Sequence, residues 1–380
     1  MTSKERVTAV LNGKIPDRVP IAEFAIDFDT VEKIIGHETY LRAKAKSQIA
    51  FWEGRHQEVA QSWSEDHIEF HRKLDLLDIV TFPHATWELP VESDEPAPKK
   101  IDENTWEDRT GKIYKFSEIT ADITCVYDPQ TWTRQFKVED YSKAPESGII
   151  HPFSLNILDR VIQALKAEKF ICTPCGGEIG IIFLGGMERG CIEMIEHPEV
   201  VRAATDYFLK VQNTGDERYI HPDGDGVLYG ADFASTAGPF ISPVLFRELF
   251  FEPNRARVKR LHQHFGLKVL KHACGNNWKL LDMFLEIGYD CYQSIQHTAG
   301  MDIREVKAKY GDKLTLWGGV PVEHIMSGTV EDVRRDVQYA MEYAKTGGRF
   351  MLGTSHSIAV GSNYDNYMAM LDEYQKLAAY

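Results

Sequence analysis

A chain of 380 residues with 43% hydrophobic side chains can bury a large core. That excludes a disordered or fibrous protein and leaves one barrel with insertions or two modest domains. The net charge of −14, from 43 basic and 57 acidic residues, repels phosphate backbones, so nucleic acid is not an expected partner. No apolar run approaches the ~18 residues needed to cross a bilayer, and MTSKERVTAVLNGKIPDRVP lacks a signal h-region or transit-peptide bias, so a cytoplasmic protein without membrane partners is expected.

In chain order, short β-prone runs alternate with longer helical stretches. The runs cover 19–26, 76–82, 169–175, 226–232, 267–273, 289–295, 313–319 and 349–354. Helix signals fill the gaps between the later ones. Ser242-Pro243 opens a helix that Gly266 closes, Asn276 and Asn277 precede one closed by Gly288, and Thr329 precedes one followed by a glycine pair. Strands alternating with helices of this length imply parallel βαβ units. Eight units predict a single (β/α)8 TIM-type barrel forming one domain over 1–380. The stretch at about 86–147 breaks the pattern: KIYKFSEIT and DITCVY lie among Glu, Pro and Asp clusters, which predicts an antiparallel β insertion after the second strand.

Barrel enzymes place their chemistry at the strand C-terminal ends. Polar or aromatic side chains stand at or just past those ends here: Glu23 and Asp27, His84, Glu178, Asp232, His272 with Cys274, Gln293 with His297, Trp317, and His356. His272 and Cys274 form the sharpest pair, because residues i and i+2 of a strand share a face and imidazole with thiolate is a preferred zinc donor set. The bland alternative is a loop-capping His beside a buried Cys. His356 is the expected third ligand, with Glu178, Gln293 and His297 as fallbacks, and Asp232 is expected as ligand, carboxylate support or general acid/base. Glu23, Asp27, His84, Gln293, His297 and Trp317 are expected to bind substrate, Trp317 as a pocket wall. Cys172 and Cys175 are read as buried strand thiols, since no second CxxC completes a structural zinc site.

PDRVP, YGADFAS…GPFISPVLFRELFFEP, KHACGN and FMLGTSHSI, in that order from residue 16 to 358, resemble the uroporphyrinogen decarboxylase superfamily and its cobalamin-linked methyltransferase branch. The resemblance implies a barrel, zinc held at His272 and Cys274, and a corrinoid partner protein supplying cobalamin. It also implies a small methylated substrate and the capacity to form a homodimer. The chain departs from the branch where LGTSHSI offers His356 in place of a later Cys. One thiolate with two neutral ligands leaves zinc near a charge of +1, suited to polarising a leaving heteroatom such as a methoxy oxygen. No Asp-x-His-x-x-Gly segment is present to hold a corrinoid, so the cofactor has to arrive on the partner. True decarboxylases resemble one another in an Arg-rich N-terminal segment, whereas PDRVPIAEFAIDFD is acidic and predicted to repel a polycarboxylate. The alternative is a metal-free decarboxylase-like lyase using Asp232 and His356, and a non-catalytic binder that kept the barrel is the third reading.

Overall fold

The structure is a computed structural model that describes residues 1–82, 96–143 and 152–380, apart from the side chains of 152–154. Five parallel strands form its main sheet. In spatial order they are Phe350–Thr354, Thr315–Val320, Cys291–Ser294, Lys268–His272 and Gly226–Tyr229. Register is continuous, with Leu270 opposite both Leu228 and Cys291, and Leu316 opposite Phe350. Ile79–Val80 and Phe170–Ile171 make a separate parallel pair. Isolated parallel bridges join Cys172 to Gly226 and Ile21 to Leu352, and Asp78 N–H donates to the Ile21 carbonyl at 2.8 Å. The expected eight-stranded sheet therefore takes the form of a five-stranded sheet, a strand pair and single bridges. All eight predicted runs contain one of these pieces.

Alternation along the strands separates two apolar layers. Ala22, Ile79, Phe170, Cys172, Leu270, Cys291, Trp317 and Met351 form an interior cluster with Val7, Val10 and Leu11 of the helix Ser3–Leu11. That helix lies at the strands' N-terminal ends, where Thr315 Oγ1 donates to the Val10 carbonyl at 3.2 Å. On the other face, Val80 and Ile171 pack on Leu158, Val161 and Ile162 of the helix Pro152–Leu165. No helix among the described residues is long and apolar enough to cross a membrane.

The stretch 243–265 is helical throughout and opens where Ser242 Oγ accepts from Leu245 N–H. It contains π turns at Arg247–Phe251 and Leu261–Phe265. The first lies directly before Pro253, whose missing N–H interrupts an α-helical ladder, and a π turn accommodates such an interruption. Lys99–Asp102, Thr105–Glu107, Ile113–Ser117 and Asp122–Tyr127 form a four-stranded antiparallel sheet. It leans on the helix Lys44–Trp52 through Trp106 and Trp52, whose ring centroids are 5.4 Å apart.

Candidate metal centre

The strand Lys268–His272 delivers the central side chain. Leu270 faces the interior, so His272, two residues on, shares that face one layer nearer the C-terminal end. Gly275 then turns the chain with φ 81°, and a Cβ there would sit 2.5 Å from the Ala234 carbonyl oxygen, so glycine lets the hairpin at 234–239 lie against the turn. Cys274 N–H donates to Asp232 Oδ1 at 2.7 Å. These constraints bring Cys274 Sγ to 3.1 Å from His272 Nε2. His356, just past the strand Phe350–Thr354, turns its ring to 5.8 Å from that of His272 at 74°. One donor atom from each of His272, Cys274 and His356 lies within 4.8 Å of the other two.

This donor set fits zinc. Ligands ~2.0–2.3 Å from one tetrahedral ion sit roughly 3.5 Å apart, so small side-chain adjustments suffice. Burial holds the His272 imidazole below its usual range, and burial first, then the charge of Asp232, pushes the Cys274 thiol up to about 12. Both effects favour uncharged groups, and a bound cation reverses the second by favouring the thiolate. His272 is further held by Gln293, whose Oε1 meets Nδ1 and whose Nε2 donates to the Thr354 carbonyl at 3.0 Å. A second grouping, His37 with Asp66 and Glu69, is exposed at its imidazole. Its acids are already engaged, Glu69 by Lys73 at 2.8 Å and Asp66 by Thr39 at 2.6 Å.

Of the residues expected from sequence, the structure brings together His272, Cys274, His356, Asp232 and Gln293. Asp232 Oδ1 is 3.8 Å from His272 Nε2, and its side chain is 44% exposed. Glu178, Glu23, Asp27, Trp317 and His297 lie outside this group. Glu178 pairs with Lys271 Nζ at 2.5 Å and accepts from Ala231 N–H at 2.9 Å. Lys271 leaves its strand on the face opposite His272, so this carboxylate belongs to the sheet–helix layer. Glu23 likewise lies opposite its neighbours Ala22 and Phe24. It faces a cavity of about 40 Å³ shared with Arg42, His67 and His71 and accepts from Thr354 N–H at 3.0 Å. Asp27 is buried against Arg42 at 2.8 Å. Trp317 is fully buried in the interior cluster, with Nε1–H donating to the Ala22 carbonyl at 2.8 Å, so it is core and not a pocket wall. His297 is exposed at the start of the short 3-10 turn His297–Ala299 that follows the strand Cys291–Ser294. His84 lies outside the described residues. Glu23 and Asp27 are thus engaged by protein groups, so the electrostatic objection to a polycarboxylate no longer rests on these two, while Asp29 of the same stretch accepts from Gly361 N–H at 2.8 Å.

Two residues escaped the sequence reading. Phe24 stacks on His272, and Lys271 neutralises Glu178. Alternation was the available signal for both, since Phe24 shares a face with Ala22, and Lys271 is out of phase with His272.

Among curated proteins no match to the chain is found. A methyltransferase from Methanosarcina mazei is similar in structure at 16% identity, with 99% of each chain covered and a TM-score of 0.65, a likeness that shows the fold alone. A chain described as a native KDPGal structure overlaps 63% of this chain and 85% of its own at 12% identity, and its TM-score of 0.27 is too low to bear on either fold or function. The family described as Uroporphyrinogen decarboxylase (URO-D) matches residues 182–377, which carry Asp232, His272, Cys274 and His356. With more than half its length matched, the chain belongs to the uroporphyrinogen decarboxylase family.

Proposed function

We propose that this protein is a zinc-dependent methyltransferase moving a methyl group between a small methylated compound, such as a methoxy compound, and the cobalamin of a partner corrinoid protein. The observation that carries the reading is the convergence of His272, Cys274 and His356 within 4.8 Å at the strand C-terminal ends. When bound there, zinc supplies Lewis acidity toward the heteroatom that leaves the methyl group. His272, Cys274 and His356 hold it. Asp232, fixed through Oδ1 by Cys274 N–H, keeps its second carboxylate oxygen for taking up or returning a proton at the substrate heteroatom. The reading includes one barrel domain over 1–380 with an insertion at about 86–147, and it is supported by the bridges at Ile21 and Cys172 that continue the sheet.

A metal-free lyase using Asp232 and His356 is the second reading, favoured by the exposure of both side chains and by the family match. Zinc analysis after chelator-free purification separates the two. About one equivalent per chain is expected, and less than roughly half would turn the argument toward the lyase. Mixing the protein with a cob(I)alamin carrier and methoxy substrates, and following the cobalt absorbance, then tests the transfer itself.

A further inference from the structure

We propose that Gln293 selects the tautomer of His272 that can accept a metal, which makes it a positioning residue of the site. The inference rests on the metal-centre reading above. A neutral imidazole carries one N–H and one lone pair, and its partners decide which nitrogen holds the proton. Here the deciding partner is itself oriented from its far side. Gln293 Nε2 lies 3.0 Å from the carbonyl oxygen of Thr354, a group that only accepts, so the amide NH2 has to face Thr354. Oε1 therefore faces His272 Nδ1. Two acceptors do not make a hydrogen bond, so Nδ1 carries the proton.

The lone pair is left on Nε2, the nitrogen 3.1 Å from Cys274 Sγ and 3.8 Å from Asp232 Oδ1. Cys274 Sγ lies within hydrogen-bond reach of that lone pair. A bound cation would displace the thiol proton and would be held by both donors. Gln293 and Thr354 are both fully buried, so bulk water does not replace a lost contact. Thr354 is anchored in turn by its N–H to Glu23 Oε2 at 3.0 Å, from the outer side of the sheet. The chain Glu23–Thr354–Gln293–His272 thus crosses the sheet from the helical layer to the candidate ligand.

Two measurements test this. Long-range ¹⁵N–¹H correlation spectra of the metal-free wild-type protein should show His272 protonated at Nδ1; a proton on Nε2 overturns the proposal whether or not the protein binds metal. Zinc affinity, read by competition with a chromophoric chelator, should fall about 10–100-fold in Gln293→Leu. It should stay within a few-fold of wild type in Gln293→Glu, whose protonated carboxyl donates to Thr354 and still accepts from Nδ1–H. Equal affinity in the wild type and Gln293→Leu would also overturn it. A wild-type protein that binds no zinc defeats the metal-centre reading while leaving the tautomer measurement to judge Gln293. If Gln293→Leu does not fold, that same spectrum decides.

Discussion

Phe24 lies flat against His272, with ring centroids 3.9 Å apart and planes 17° from parallel. The imidazole is thereby fixed in plane as well as by its Nδ1 contact, and only its Nε2 edge is left for a ligand. Replacing Phe24 by Leu keeps apolar bulk but removes a stack worth ~0.5–1.5 kcal/mol. Zinc affinity is expected to drop by roughly 2- to 10-fold, as isothermal titration would read. An unchanged affinity would remove the ring from the account.

Cys274 supplies the one thiolate of the proposed donor set. In Cys274→Ala, bound zinc should fall to below ~0.1 equivalent while the unfolding free energy from urea titration changes by only the ~1 kcal/mol typical of a single substitution. Retention of stoichiometric zinc would show that the metal sits elsewhere.

The Lys271–Glu178 pair is buried on both sides, and burial moves the two groups toward neutrality, raising Glu178 and lowering Lys271. Removing one member strands the other, at a cost of ~3–5 kcal/mol. Lys271→Met should therefore be strongly destabilised in chemical denaturation, and Lys271→Met with Glu178→Leu should recover most of that loss. Both are expected to keep wild-type zinc content. A fully stable single variant would contradict the pairing.

Burial pushes the Glu23 carboxyl up to about 8 against the opposing pull of the Thr354 hydrogen bonds, from an ordinary value of 4.5. Between those values the unfolded chain has released the proton and the folded chain has kept it. The contribution of Glu23 is thus full below about pH 4.5, declines as pH rises toward about 8, and is flat beyond. Relative to Glu23→Gln, which cannot ionise, the wild type should lose on the order of a few kcal/mol over this window. Urea midpoints at pH 5, 6.5 and 8 measure it, and parallel curves for the two proteins would refute it.

The positions of the strands and helices were legible because their signals are local. Each β-prone run contains a strand or bridge, and the caps at Ser242 and Thr329 hydrogen-bond as expected. The pair His272 and Cys274 followed from strand periodicity. The same periodicity, applied at Ala22–Phe24 and Lys271–His272, separates Glu23 and Glu178 from the site; grouping polar residues by nearness to a strand end hid that. His297 was out of reach for another reason. Ser294 and Ile295 adopt φ of 109° and 51°, a conformation costly for residues with a Cβ, and alternation cannot be carried past them. Trp317 looked like a wall because it ends an apolar run, but Gly318 and Gly319 follow it at φ 143° and 103°, and its strand continues to Val320.

The helix Ser3–Leu11 has a consequence for traffic. By pressing Val7, Val10 and Leu11 into the strands' N-terminal ends, it gives the interior a floor. The candidate ligands stand at the opposite end, so among the described residues the helix and the ligand cluster mark the two ends of this interior layer. Under the proposed reading, a small substrate and a partner-borne cofactor would both approach from the ligand end, and that shared approach would set the order in which they arrive.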